Sequence, residues 1–166
     1  MSALSETARV AVLLADYAAA DAVGKLNVIG GGWQITALDP STGMTTPHAV
    51  VVSIDISPEH YDDVFTIELA LYDSAGDLVS APGPMGQPQP LRIGQSIKAD
   101  APTVPGVIIP KKVLWAHSQL LASFPGGLPL TAGESYTWRV RLDADDSLTW
   151  GTTFYVAAPR PGPVLG

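Results

Sequence analysis

The sequence predicts an all-β protein: a single antiparallel β-sandwich of the immunoglobulin or fibronectin kind, with little helix. Several short runs alternate apolar and polar residues, which is the two-residue period of half-buried strands. The 16 glycines and 15 prolines fall between these runs, as in strands joined by turns. No stretch has the spacing of a convincing amphipathic helix. A closed β-barrel is the alternative architecture.

The N-terminal part is predicted to contain one strand followed by a short helical turn. Residues 1–7 are polar, and we expect them to be loose. Arg9–Ala15 is short and rich in β-branched valine, which favours a strand. The alanines at 18–20 favour a turn of loose helix that continues to Val23. Gly24 would end that helix.

The next strand begins at Lys25 and runs into three consecutive glycines. Its apolar face falls on even numbers before the glycines and on odd numbers after them, at Trp33, Ile35 and Ala37. An extra residue in the ladder changes parity in this way, so a β-bulge or sharp bend is expected. A dinucleotide-binding loop is disfavoured because a strand follows, not a helix. The residues assigned to the bend are Gly30, Gly31, Gly32 and Trp33.

Five later runs are predicted to be strands, at 49–57, 63–73, 112–124, 135–143 and 148–156. A hairpin turn at 73–77 follows the second of them. The side chains expected to point inward are Val50, Val52, Ile54, Ile56, Phe65, Ile67, Leu69, Leu71, Leu114, Ala116, Leu120, Ala122, Phe124, Tyr136, Trp138, Val140, Leu142, Leu148, Trp150, Phe154 and Val156.

Proline-rich stretches divide the middle and close the end of the chain. Residues 81–90 are predicted to be a loop because proline cannot donate to a ladder, and Leu91–Lys98 is predicted to be an edge strand. Neither flank of this region is large enough to be stable alone. We therefore expect one β-sandwich domain at 1–158 and an extended proline-rich tail at 159–166.

Composition excludes several functional classes. The net charge is −7, and the nine basic residues are scattered, so neither nucleic acid nor an anionic membrane is an expected partner. The absence of cysteine excludes disulfides, thiolate metal sites and a cysteine nucleophile. The apolar run near the N-terminus is too short to span a bilayer. A secretion signal is not expected because the basic and apolar regions are minimal.

No metal, cofactor or catalytic site is predicted. His48, His60 and His117 lack metal-site spacing, and the acidic residues around His60 and at 143–146 are interpreted as solvated loops. Ser118 follows His117 on a strand, so the two would face opposite sides. The outward acids Asp55 and Glu68 could form a carboxylate pair, but nothing distinguishes them from surface residues.

An interaction surface is the remaining hypothesis. Trp115 is predicted on the outward face of its strand with Val113 and His117, where an exposed aromatic often marks an interface. The alternative is that the loop at 81–90 covers Trp115. In the tail, Pro161 and Pro163 are assigned to the same interaction role.

Two segments resemble a known group of proteins. Ala15-Asp16 followed by Gly24–Trp33, with its GKLNVIGGGW sequence, is one, and the region from Pro129 to Val140 is the other. They are similar to an uncharacterised family of small actinobacterial and actinobacteriophage proteins. The resemblance implies a high-GC bacterial or phage origin and assigns no functional residue.

The sequence therefore favours a non-enzymatic structural or interaction module. A phage virion component, such as a capsid decoration or tail-associated protein, is one such role. It would lie in the virion or the host cytoplasm and bind protein partners, by self-association or within a larger assembly. The alternative is a sandwich that binds a small molecule or carbohydrate, with Trp115 and Tyr72 as stacking surfaces. An enzyme of unidentified class is the third hypothesis.

Overall fold

The computed structural model describes residues 3–83 and 85–158, which form the all-β, sandwich-like fold that the sequence predicts. Its elements are α1 (Ala3–Thr7), β1 (Arg9–Ala15), β2 (Tyr17–Ala20), β3 (Leu26–Ile29), β4 (Ile35–Ala37), β5 (His48–Ile56), a 3₁₀ turn (Pro58–His60), β6 (Val64–Tyr72), β7 (Ser80–Pro82), β8 (Pro88–Pro90), β9 (Arg92–Lys98), β10 (Ala116–Phe124), β11 (Ser135–Leu142) and β12 (Trp150–Ala157).

Two main sheets have the strand order of an immunoglobulin domain. One sheet has the order β1-β5-β10 and the other β4-β12-β11-β6-β9. In immunoglobulin terms the first sheet supplies strands A, B and E. The second supplies G, F, C and C′, with β4 added at its edge by parallel pairing to β12. The other pairings are antiparallel, and β2–β3 and β7–β8 form small two-stranded ribbons.

The core lies between the two main sheets and contains most of the side chains predicted to point inward. On β5, β6 and β11 the predicted alternation is confirmed at every inward position. The largest fully buried side chains include Trp138, Phe65 and Phe154. Trp138 stacks on Phe124 with ring centroids 5.4 Å apart, which joins β11 to the end of β10. Both sheets therefore contribute aromatic surface to one core.

The start of β11 carries a tyrosine corner, a local feature of immunoglobulin-type sandwiches. The backbone N–H of Thr131 donates to the Tyr136 hydroxyl oxygen at 2.9 Å. In antibody domains the residue two positions after this tyrosine is a disulfide cysteine. Here it is Trp138, fully buried. A large aromatic side chain thus occupies the position that a covalent bridge has in antibodies.

The helical turn predicted after β1 is wrong, because Tyr17–Ala20 pairs with Leu26–Ile29 as an antiparallel ribbon. Alanine's helix propensity is weak and is overridden by pairing with a partner strand. At the turn, Asp21 Oδ1 accepts the backbone N–H groups of Val23 and Lys25. The ribbon packs over β5, which accounts for the burial of Val51 at a position predicted to point outward.

The glycine triplet connects two different sheets. β3 belongs to the ribbon, whereas β4 belongs to the edge of the five-stranded sheet. Gly30 and Gly32 have φ angles of 61° and 90°, in the left-handed region that favours glycine. The Gly32 N–H donates to the carbonyl oxygen of Leu14 at 2.8 Å, which holds the crossing against β1. Trp33 follows, half-buried, with its ring edge-on to Phe154.

The predicted inward positions of β4 are wrong. Ile35 is 68% exposed and Ala37 is also exposed, whereas Thr36 is buried. The prediction assumed one continuous strand with a bulge. In such a strand, the inward-facing positions before the glycines determine those after them. Because the chain leaves one sheet and joins another, the register of β4 is set anew by its pairing with β12.

The loop predicted at 81–90 contains the β7–β8 ribbon. Hydrogen bonds run between residues 79 and 91 and between 83 and 87, so the hydrogen-bonded pairs fall on odd numbers. The prolines at 82, 88 and 90 fall on the alternate, non-bonded pairs. No ladder donor is therefore lost.

Two further predictions near strand ends are wrong. Residues 3–7 form α1 instead of a loose segment, and Leu4 is buried in the core. β10 begins at Ala116 rather than Lys112, which has a φ of 65°. Leu114, predicted to point inward, is consequently 44% exposed.

Substitutions within the triplet separate backbone strain from crowding. A Cβ at Gly32 approaches only Leu13, at 4.0 Å, so Gly32→Ala tests the positive φ almost alone. We expect it to lower the free energy of unfolding by about 1–2 kcal/mol. Gly31→Ala is the matched control: its φ is ordinary and its contacts are side-chain tips at 3.1 Å, so we expect a change within about 1 kcal/mol. Urea unfolding measures both, and equal effects would contradict this account of the bend.

His48 is a buried imidazole at the start of β5. It is 2% exposed, its Nδ1 lies 3.0 Å from the carbonyl oxygen of Thr46, and its Nε2 has no partner among the described residues. Its ring lies 5.7 Å from that of Trp33 and 5.2 Å from that of Phe124. Burial lowers the pKa of His48 below its ordinary value of 6.5, so the folded protein holds it neutral.

The stability contribution of His48 should depend on pH. Below about pH 6.5 the unfolded chain binds a proton at this residue before the folded chain does. The free energy of unfolding should therefore be undiminished above that pH and fall as the pH drops toward the lower, folded-state pKa. We expect His48→Phe to flatten this decline in urea unfolding series. His117→Gln, at a half-exposed imidazole, is the control and should leave the decline in place. An unchanged decline in His48→Phe would show that His48 is not its source.

Candidate interaction surface

The segment between β9 and β10 exposes an unusual number of apolar side chains. Residues 99–115 contain no strand, only an isolated bridge between Val104 and Val107. Ile108 is 96% exposed, and the other exposed large apolar residues of this segment are Val104, Val107, Val113 and Leu114. Single exposed apolar residues are normal in soluble proteins, but a contiguous group marks an interaction site. We call this segment the apolar loop.

A groove lies between the apolar loop and the body of the protein. Its volume is about 640 Å³, and its lining includes Pro58, Tyr61, Pro102, Val107 and Pro110. The groove is apolar with charged residues among its lining: Asp62, Lys111 and Lys112. An apolar centre with charged neighbours is the usual anatomy of a protein interface.

Two sets of bonds hold the apolar loop in place. The Tyr61 hydroxyl donates a short hydrogen bond to the carbonyl oxygen of Leu114. At the other end of the loop, Lys98 Nζ lies 2.7 Å from Asp62 Oδ1 and 3.2 Å from Asp100 Oδ1. The hydrogen bond to Asp62, with that to Asp100, raises the pKa of Lys98 above its ordinary value. The apolar loop is therefore attached to the rest of the protein near both of its ends.

Beside the apolar loop, a charged row crosses the outer face of the three-stranded sheet. Arg9, Asp55 and His117 stand in register on adjacent strands, and His117 Nδ1 lies 2.8 Å from Asp55 Oδ1. The Arg9 guanidinium stacks 4.1 Å from the centre of the Trp115 ring. Arg9 is thus a side chain that covers the Trp115 ring. Trp115 is half-buried as a result.

The structure brings three of the predicted interaction residues together. Val113, Trp115 and His117 lie at the junction of the apolar loop with β10, and Val113 is 62% exposed. Pro161 and Pro163 lie outside the described residues. Ile108, the most exposed large apolar residue among those described, was missed. The run Val-Ile-Ile at 107–109, enclosed by proline and glycine, was the available sequence clue.

The bend residues lie elsewhere. Gly30, Gly31, Gly32 and Trp33 line an open depression of about 680 Å³ with Thr46 and Ala157. Thr46 precedes β5, whereas Pro58, which lines the groove of the apolar loop, follows it. The two concavities are therefore at opposite ends of the sandwich.

The other chemistries considered from sequence are not assembled. Asp55 and Glu68 lie on different sheets, and Glu68 is held by Arg141 at 2.7 Å and Arg92 at 3.3 Å. Tyr72 is on β6, far in the fold from Trp115, and the guanidinium of Arg139 lies 4.6 Å from its ring centre. The two aromatic rings therefore do not share a stacking surface.

Residues 3–83 and 85–158 contain neither a metal cluster nor a membrane-spanning helix. Within these residues, no three histidine, aspartate or glutamate side chains converge as a metal site would require. In the same part of the chain, no helix has the length and apolar character needed to cross a bilayer.

The Tyr61 hydrogen bond offers a test of how the apolar loop is held. We expect Tyr61→Phe to release the Leu114 carbonyl and to increase hydrogen exchange and proteolysis within residues 101–114. The midpoint of urea unfolding should change little, because the strands are untouched. Tyr155→Phe, at a half-exposed tyrosine on β12, is the matched control and should leave the loop protected. Equal protection in Tyr61→Phe would contradict an anchoring role.

Comparison with known proteins identifies no family for this chain. No protein-family model matches the chain, and no curated protein is significantly similar to it. The apolar loop, its groove and the adjoining Arg9–Trp115 pair are therefore the features on which a functional proposal rests.

Proposed function

We propose that this protein is a non-enzymatic assembly module that binds a protein partner through the apolar loop and its groove. The observation that carries the proposal is Ile108, which is 96% exposed among four other exposed apolar residues. Burying one such side chain is worth about 1.5–3 kcal/mol. A monomer that leaves five of them in water forgoes stabilisation that a partner can supply.

The surroundings of the loop favour a protein partner over a small ligand. The groove is open to solvent along the loop, and the charged residues Asp62 and Lys111 accompany its apolar lining. Arg9 and Trp115, residue types enriched at interfaces, stand next to it. A ligand pocket is normally more enclosed and has a few converging polar groups. Nothing of that kind favours the carbohydrate alternative, since Trp115 lies beside the three-stranded sheet and Tyr72 lies on the five-stranded sheet.

An enzymatic role has weaker support. His117 and Asp55 form a hydrogen-bonded pair at 2.8 Å, which alone is two members of a catalytic set. Ser118, the nearest hydroxyl in sequence, points to the other face of β10. Both side chains of the pair are also about half exposed, as in an ordinary pair on a protein surface.

The biological setting that we propose is a phage virion or a related bacterial assembly. Its support is the resemblance of Gly24–Trp33 and Pro129–Val140 to actinobacterial and actinobacteriophage proteins. Capsid decoration and tail-associated roles both require a small stable domain with an adhesive surface. If a phage encodes the chain, mass spectrometry of purified virions should detect it in stoichiometric amount.

The interface is tested by placing a charge at its centre. We expect the wild-type chain to associate as its concentration rises from about 1 μM to 1 mM, and Ile108→Asp to shift the dissociation constant at least tenfold upward. Sedimentation velocity measures both. The folded state should be unaffected, because Ile108 contacts solvent rather than the core.

Val23→Asp is the matched control for this experiment. Val23 is 76% exposed in the β2–β3 turn, which is not part of the groove lining, so its substitution should leave association unchanged. A wild-type chain that stays monomeric throughout, and is missing from purified virions, would argue against the proposal. So would equal weakening by the two aspartates, which would indicate a general charge effect.

A further inference from the structure

We propose that the groove of the apolar loop binds the proline-rich segment 159–166 of a second copy, so that copies associate head to tail. The inference rests on the proposed function and names the partner of that same surface. The segment reads Pro-Arg-Pro-Gly-Pro-Val-Leu-Gly and begins just after β12 ends at Ala157. It lies outside the described residues.

The chemistry of the segment matches that of the groove. Prolines at alternate positions favour the polyproline II conformation, which docks on grooves lined by aromatic side chains and proline. The groove offers Tyr61, Pro58 and Pro110 for such contacts. A short apolar pair, Val164-Leu165, follows the prolines and suits the exposed side chain of Ile108.

The groove lining offers one carboxylate, Asp62, to the basic residue of the segment, beside the cations Lys111 and Lys112. Arg160 is the one charged residue of the segment, whereas the chain as a whole carries −7. Asp62, in the groove lining, keeps 80% of its side chain exposed although it also pairs with Lys98. Arg160 can therefore approach a carboxylate that retains unused acceptor positions. Long-range attraction between a basic segment and an acidic body adds to the encounter rate.

The prolines of the same chain's segment cannot reach this groove. Ala157 and Thr46 line the depression at the end of the sandwich where β5 begins. The groove of the apolar loop lies at the other end, beyond Pro58. The nine residues of β5 alone separate the two ends by about 27 Å.

A fully extended chain spans at most about 3.5 Å per residue. From Ala157, Pro161 can therefore lie no more than about 14 Å away, Pro163 about 21 Å and Val164 about 25 Å. All three fall short of about 27 Å even along a straight line through the protein. A contact that uses these prolines must therefore come from another copy.

Head-to-tail contact has a consequence for assembly. Because the segment and the groove are different surfaces at opposite ends, the interface is heterologous, and each pair of copies leaves one segment and one groove free. Such contacts build closed rings or open chains rather than two-fold dimers. This is the kind of repeated contact that a shell-coating or tube-forming module uses.

A complementation experiment tests the proposal. A chain ending at Ala158 keeps every described strand and the groove but lacks the segment. Ile108→Asp keeps the segment but has a damaged groove. We expect each alone to remain monomeric at concentrations where the wild type forms higher species. Mixed, they should form a 1:1 heterodimer that grows no further, by sedimentation velocity. A mixture that stays monomeric overturns the proposal.

A peptide titration measures the contact directly. A fluorescein-labelled peptide of residues 157–166 is titrated with the chain ending at Ala158, and binding is followed by anisotropy. We expect Ile108→Asp in the protein to weaken binding at least tenfold, and Pro161→Ala with Pro163→Ala in the peptide to weaken it at least fivefold. Val23→Asp should bind as well as the parent. No saturable binding, or binding indifferent to Ile108→Asp, overturns the proposal.

The outcomes separate this inference from the proposed function. If the chain ending at Ala158 associates as strongly as the wild type while Ile108→Asp does not, the groove is an interface but the segment is not its ligand. The head-to-tail inference then fails and the proposed function stands. If Ile108→Asp associates as strongly as the wild type, both fail.

Discussion

The fold depends on the packing of Trp138 between the two main sheets. It is fully buried, stacks on Phe124 at 5.4 Å, and lies two residues after Tyr136, whose hydroxyl fixes the preceding turn. In antibody domains the equivalent position carries the disulfide that joins the sheets. With no cysteine in the chain, the link between the sheets is made by apolar area and aromatic contact alone. Such a core does not depend on an oxidising compartment.

The same core determines how the chain can cross between sheets. The segment Gly30–Trp33 leaves the β2–β3 ribbon, hydrogen-bonds to Leu14 on β1 and delivers β4 to the edge of the opposite sheet. Trp33 then covers His48 and Phe154, so the crossing also closes that end of the core. The result is a sandwich with unlike ends. One holds the crossing and the end of β12, and the other holds the apolar loop.

Much of the fold could be predicted from sequence, and three of the errors share one cause. β5, β6 and β11 are buried on the face that their alternation indicates, because each pairs with strands on both sides. These three errors are at Tyr17–Ala20, at Ile35 and in β7–β8. In these segments the alternation of apolar and polar residues is weak, and the strand that each one pairs with determines its conformation and register. The junction at Val113–His117 was predicted as a surface, but the Arg9 contact over Trp115 needed the register of three strands.

The apolar loop follows from proline placement. In the immunoglobulin order, the chain between C′ and E commonly supplies a strand D that pairs with the edge of E, here β10. Pro102, Pro105 and Pro110 remove donors along this segment, and within the described residues β10 pairs only with β5. Between the prolines, Val104, Val107 and Ile108 would be half-buried in a strand but are left in solvent on the same segment. This segment is apolar enough to be a strand but is barred from the sheet by its prolines, and it is the surface that we propose another chain covers.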